Sequence, residues 1–256
     1  MKTSTLILIL ISSGILFYLA LSGFNQLNSA AQAAKSDFNN SSSTTQIVTI
    51  QASGNYIQTI DGANLSFDFN KTSNHGVILL PQIGKDKSSF IALEKELNKN
   101  NITTLSIDLR GMGETIYPKQ MFQFTDQDFI SMQNDVDAAA NYLKSNNVQL
   151  IGFVGASIGA NLAFNFASKH NIGKAVLLSP GLSYRGVSIV DDLNQSNGPI
   201  LLIFASNEDT YAFDSSQKIQ DNYTGSLTFV KLQNEGHGAN MLDSTSISKI
   251  VEFFKK

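Results

Sequence analysis

Hydrophobic positions along the chain fall into two alternating patterns. Val77–Leu80, Ile102–Ile107, Gln149–Val154, Lys174–Leu178 and Ile200–Ala205 are short runs rich in Val, Ile and Leu. They lack the polar alternation of a strand with one wet face, so they read as strands covered on both sides, as in a parallel sheet. Gln46–Gln51, Asn64–Phe69 and Leu227–Leu232 read as further strands, with Asp61-Gly62 as turn chemistry before the second. Between the runs the period changes. Phe129, Met132, Val136, Ala140 and Leu143 recur at helical spacing, as do Ile158, Leu162 and Phe166, and then Ile247, Ile250 and Phe254. Strand and helix in alternation predict an α/β fold, a mostly parallel central sheet with helices on both faces.

The first part of the chain breaks this rhythm. After a single early charge, Lys2, the stretch Leu6–Phe24 is almost wholly apolar. Its length of about 19 residues corresponds to roughly 28 Å of helix, about one hydrocarbon core. Two readings follow. One is a signal peptide cleaved after Ala33, where Ala31-Gln32-Ala33 has the small-x-small form. The other is an uncleaved anchor attached to the membrane through residues 6–24. Both predict export, either secreted or held on the outer face of the cell membrane. Lys35–Thr45 is polar and low in complexity, as a flexible linker is. The expected organisation is a targeting segment over 1–33, a linker over 34–45 and one folded domain over 46–256.

Composition narrows the chemistry. Apolar residues make up 42% of the chain, enough for a substantial core, while charged residues are only 15%. Lys plus Arg is 18 against 21 for Asp plus Glu, a net charge of -3 that disfavours a nucleic-acid partner. There is no Cys, which excludes disulfides, zinc ribbons, iron–sulfur clusters and a thiol nucleophile. The 3 histidines, His75, His170 and His237, are far apart in sequence, so a His-built metal site is not expected. Catalysis would have to come from hydroxyls, carboxylates and one or two imidazoles.

One hydroxyl stands in a specific setting. The strand Gln149–Val154 runs into Gly155-Ala156-Ser157-Ile158-Gly159, and a helix follows. G-x-S-x-G between strand and helix lifts the serine above the sheet's C-terminal edge, and small flanking residues let strand and helix pack closely. The helix N-terminus then directs N–H groups and positive dipole at any anion formed there. His237 lies between Gly236 and Gly238, in a loop after Leu227–Leu232 that can project an imidazole into a cleft. A carboxylate is needed to orient it, and Ile200–Ala205 leads into Glu208 and Asp209. His75 is expected at the opposite edge of the sheet, and His170 at a helix end.

Together these stretches resemble the α/β-hydrolase family from about Gln46 to Lys256. Val77-Ile78-Leu79-Leu80-Pro81-Gln82-Ile83-Gly84 is similar to the family's strand ending in HGxG, and Asp108-Leu109-Arg110-Gly111-Met112-Gly113-Glu114 to its D-x-R-G-x-G-x-S stretch. GASIG matches the nucleophile elbow, and Gly236-His237-Gly238 the base loop. The resemblance implies Ser157 as nucleophile, His237 as base and Asp209, rather than Glu208, as the acid, with Glu208 at the rim. It implies the N–H groups of Ile83 and Ile158 as oxyanion donors, and a small-molecule ester or acyl substrate. The expected activity is a serine hydrolase acting on a carboxylic ester or related acyl bond, chemistry that needs no cofactor. Peptidase or thioesterase chemistry, or a non-catalytic binding module on the same fold, are the alternatives.

Two departures stand out. The family's His-Gly is Pro81-Gln82 here, with the Gln82 amide a substitute candidate for the oxyanion. Ser179–Pro199 is too short for a lid domain, which leaves Tyr117, Met121, Phe122 and Phe124 to line a pocket or to join the core. Asp108 and Arg110 are expected to fix loops. Oligomeric state is not legible.

Overall fold

The structure, a computed structural model, describes residues 56–194 and 198–256. The expected targeting segment, linker and strand Gln46–Gln51 lie outside the described residues. Ten strands follow in order: β1 (Tyr56–Gln58), β2 (Asn64–Asn70), β3 (His75–Leu80), β4 (Thr103–Ile107), β5 (Gln149–Ala156), β6 (Lys174–Leu178), β7 (Ser183–Tyr184), β8 (Val187–Ser188), β9 (Ile200–Ser206) and β10 (Leu227–Leu232). The α-helices are α1 (Ile91–Lys99), α2 (Asp126–Ile130), α3 (Gln133–Ser145), α4 (Ile158–His170), α5 (Thr210–Asn222) and α6 (Ser244–Lys255).

Eight of these strands form one sheet in the order β1-β2-β4-β3-β5-β6-β9-β10. β2 runs antiparallel to both β1 and β4, and every later pairing is parallel. Period-2 alternation sends successive side chains of each buried strand to opposite faces. Ile78, Leu80, Phe153, Leu177 and Ile203 enter one core with Val136, Leu143, Leu162, Phe164 and Ile219 of α3, α4 and α5. Val77, Leu79, Val154, Leu178 and Phe204 enter the other, with Leu93 and Leu97 of α1 and Ile247, Ile250 and Phe254 of α6. Two separate cores around one sheet explain the continuous apolar runs.

The stripe from Phe129 to Leu143 belongs to two helices rather than one. Thr125 and Asp128 form a capping box at the start of α2. The chain then tightens at Ser131 and Met132, where Asn134 N–H bonds Ser131 O at 3.0 Å and Asp135 N–H bonds Met132 O at 3.0 Å. These i to i+3 bonds separate the two axes while keeping their apolar sides on the same core.

Asp108 and Arg110 fasten loops at the end of β4, as expected. Asp108 is fully buried and accepts the N–H groups of Lys87 at 2.7 Å and Glu114 at 2.9 Å. Arg110, also fully buried, grips Asp61 through Nη1 at 2.6 Å and Nη2 at 2.9 Å, and Asp135 through Nε at 2.9 Å. His75 is exposed at the N-terminal edge of β3, and His170 closes α4 stacked on Phe166 at 4.2 Å.

Candidate active site

Ser157 occupies the single residue between β5 and α4, with φ 54° and ψ -117°. A Cβ-bearing residue rarely adopts this conformation, and it persists only where the surroundings impose it. Here the Ser157 N–H is held by Leu178 O of the neighbouring strand at 2.8 Å, and its carbonyl accepts from Ala160 and Asn161 as the helix begins. The flanking glycines are sterically required. A Cβ on Gly155 would stand 2.2 Å from Gly159 O, and one on Gly159 would stand 2.3 Å from Leu80 O. The helix therefore seats directly on the end of β3. Ile158 opens α4, so its N–H has no partner within the helix and faces the end where the dipole is positive. Ile83 lies just beyond β3, inside a turn closed by Lys85 N–H on Gln82 O at 3.1 Å.

Asp209 and His237 come together. Asp209 is the N-cap residue of α5, a place where an aspartate commonly accepts a helix N–H. Its side chain caps nothing; Oδ2 meets His237 Nδ1 at 2.5 Å instead. An ionised carboxylate only accepts, so Nδ1 carries the proton and Nε2 is left as an acceptor. Among the described residues no hydrogen bond joins Ser157 to His237. Tyr184 stands beside both: its hydroxyl neighbours the Ser157 side chain and donates to Ser179 O at 3.1 Å, and its ring stands edge-on to the imidazole at 6.4 Å. Burial, with the charge of Asp209 beside it, pushes the Tyr184 hydroxyl well above the usual phenol range, so it stays a neutral donor.

The loop that carries His237 is held from three strand ends. At the end of β9, Ser206 Oγ accepts Glu235 N–H at 3.0 Å, and just beyond it Glu208 accepts Asn234 N–H at 2.8 Å and Gly236 N–H at 2.5 Å. After β6, Ser179 Oγ accepts Gly238 N–H at 3.0 Å. After β3, Gln82 Oε1 accepts Ala239 N–H at 2.8 Å. Glu208 is exposed at the rim, as expected, and from there it clamps the loop that carries His237; the Ser206 hydroxyl with these N–H groups holds its carboxyl down at about 2. The Gln82 amide, the substitute candidate for the oxyanion, is engaged by the loop that carries His237.

Tyr184 is the site residue that pattern reading missed. It sits in a two-stranded hairpin of β7 and β8 within the stretch too short for a lid. Asn161 fastens that hairpin to α4 through Val187 O at 2.8 Å, and the Tyr211 hydroxyl donates to Ser183 O at 2.7 Å. A two-residue strand has no readable period, so only its position after β6 could have signalled it. The aromatics of Ile116–Phe124 divide between core and surface: Phe124 is buried against Phe129, Tyr117 packs on Arg110, and Phe122 is 84% exposed. Among the described residues no group of His, Asp and Glu is close enough to hold a metal ion.

Comparison with known proteins agrees with this architecture. A sequence profile described as alpha/beta hydrolase fold matches residues 77–240. A search of curated proteins returned no match. Among solved structures, an esterase from Exiguobacterium antarcticum is 14% identical with a TM-score of 0.61, covering 79% of this chain and 100% of its own. Est1E from Butyrivibrio proteoclasticus, solved with ferulic acid bound, is 16% identical with a TM-score of 0.63, covering 78% and 96%. An esterase from Pyrococcus furiosus is 18% identical with a TM-score of 0.65, covering 78% and 88%. With the strand–turn–helix serine, the sheet order and a profile match that spans β3 to the base loop, the chain belongs to the alpha/beta hydrolase fold family.

Proposed function

We propose that the protein is a serine hydrolase that cleaves a carboxylic ester or a related acyl bond through an acyl-enzyme. The observation that carries this reading is the Asp209–His237 contact on the same edge of the sheet as the strained Ser157 turn. With substrate in place, Ser157 Oγ attacks the acyl carbonyl while His237 Nε2 takes its proton. Asp209 holds the imidazole in the tautomer that allows this and stabilises the imidazolium. The N–H groups of Ile158 and Ile83 receive the oxyanion. His237 returns the proton to the leaving alcohol, and a water activated by the same imidazole releases the acid. The Ser–His hydrogen bond is commonly long before substrate binds, so its absence in the free protein fits this scheme. The esterases that share the fold favour an ester over other acyl substrates.

The reading extends to location. The apolar stretch Leu6–Phe24 supports export, with the domain released after Ala33 or tethered by residues 6–24. N-terminal sequencing of the native protein tests it: a start at Ala34 means cleavage, and an intact chain in the cytosol refutes both versions.

A fluorophosphonate probe tests the chemistry. The wild type should be labelled, and Ser157→Ala should not. A panel of p-nitrophenyl esters of increasing acyl length then reports chain-length preference. A wild type that neither reacts with the probe nor turns over any ester would place the chain among non-catalytic members of the fold.

A further inference from the structure

The family resemblance leaves one residue without a role. Gln82 stands where the related motif has a small glycine, beside the proposed oxyanion donor Ile83. Its side chain is buried and engaged by the base loop. Oε1 accepts Ala239 N–H at 2.8 Å, a short, well-formed bond, and Nε2 lies 3.5 Å from His237 O, at the outer limit of a hydrogen bond. These contacts bridge positions 157 and 155 residues apart in the chain. Gly238 completes the fit. It has φ +62°, and a Cβ there would stand 2.1 Å from Gln82 Oε1, so a side chain at 238 would displace the Gln82 amide from this place. The glutamine and the glycine of the base loop thus form one interlocking pair.

We infer that Gln82 is a positioning residue that yokes the oxyanion turn to the base loop, setting the His237 imidazole relative to the Ile83 N–H. The inference rests on the serine hydrolase reading above. A catalytic cycle needs the base and the oxyanion donors in register with one carbonyl, and a misplacement of about 1 Å can cost about 10²-fold. Elsewhere the two loops are fixed independently: Glu208, Ser206 and Ser179 hold the base loop to β9 and β6, and Gly159 seats α4 on β3. Gln82 is the side chain that ties turn to loop directly. The inferred role is alignment of base and oxyanion donor, so its effect belongs in kcat rather than KM.

The test compares Gln82→Met and Gln82→Glu in the full-length protein, with p-nitrophenyl ester kinetics across pH. Methionine matches the side-chain length but offers Ala239 no good acceptor. It should lower kcat by about 10- to 100-fold while KM stays within about threefold. Glutamate keeps the acceptor for Ala239 N–H and adds a negative charge beside the loop. It should recover kcat to within about threefold of wild type, with the acid limb of kcat/KM moved to higher pH because the charge favours the imidazolium. Titrating active sites with fluorophosphonate corrects each variant for its folded fraction, and if the methionine variant does not fold, the shifted acid limb of Gln82→Glu carries the test. The inference is overturned if Gln82→Met keeps kcat within twofold of wild type. It is equally overturned if both variants lose activity alike with an unmoved acid limb, which is the mark of a purely structural residue. A wild type inert to probe and ester fails the hydrolase reading itself and takes the inference with it, an outcome distinct from a working wild type with an indifferent Gln82.

Discussion

Replacing Arg110 with methionine should cost the folded domain about 3–5 kcal/mol, the usual result of removing one partner from a buried ion pair. The structure says which partner suffers. Asp61 is partly exposed and keeps hydrogen bonds from Thr59 at 2.6 Å and Asn134 at 2.9 Å. Asp135 is fully buried, and Arg110 supplies its hydrogen bonds from Nε, Nη2 and the backbone N–H. Only the backbone N–H would remain in the variant. For a domain of about 200 residues, an unfolding entropy near 2.1 cal/mol/K per residue gives about 0.42 kcal/mol/K, so Tm should fall by roughly 7–12 °C. The loss should also depend on pH. Burial pushes the Asp135 carboxyl up and Arg110 pulls it back down. Without Arg110 the folded state holds a proton that the unfolded chain releases above about pH 4, so the variant loses stability as pH rises. Calorimetry at pH 5 and pH 8 should find the larger deficit at pH 8. The double variant Arg110→Met/Asp135→Leu should regain most of the loss, because no buried charge is left unpaired. A small, pH-independent shift, or a double variant no better than the single, would refute the reasoning.

Three further outcomes follow from the site. Ser157→Ala should lower kcat/KM by on the order of 10³-fold or more with Tm little changed; retained turnover would refute the mechanism. Asp209→Asn should favour the wrong His237 tautomer and cost up to about 10⁴-fold, whereas Glu208→Gln should cost about tenfold through a looser loop; steady-state kinetics on one ester ranks them, and the reverse order would exchange their roles. Because the Glu208 carboxyl is held at about 2 in the folded state, against 4.5 ordinarily, its hold on the base loop is complete above about pH 5 and fades as pH falls toward 2. The Tm gap between wild type and Glu208→Gln should therefore close over that range, and a constant gap would contradict the clamp.

How much of this was legible in the sequence depends on the range of the forces involved. The buried strands were legible because apolar runs without alternation have few other uses, and Lys174–Leu178 and Leu227–Leu232 coincide with β6 and β10. Ser157 was legible because its turn imposes glycines at fixed local offsets. The break between α2 and α3 was not, since it rests on hydrogen bonds around Ser131 and Met132 that leave the apolar stripe intact. The contacts of Glu208 and Gln82 were not legible for a different reason. Their partners are backbone N–H groups in a loop 26 to 28 residues away for the one and 157 for the other, and a backbone donor leaves no trace in residue type. Tyr184 escaped because its meaning lies in what its ring and hydroxyl touch across the sheet edge.

The span of the Gln82–Ala239 bond, 157 residues, also bears on how the protein comes into being. Contacts that distant close late, because loop entropy must be overcome before they contribute. A chain emerging from the ribosome, or threading through a membrane pore, exposes its N-terminal part first. Under the proposed reading, Ser157 and the oxyanion turn are made well before His237 exists. β10, the last strand in the chain, pairs with β9, and the loop beyond it reaches Glu208, Ser179 and Gln82. A partial chain thus carries a serine without a base, and hydrolytic competence arrives in one step with the docking of the C-terminal segment.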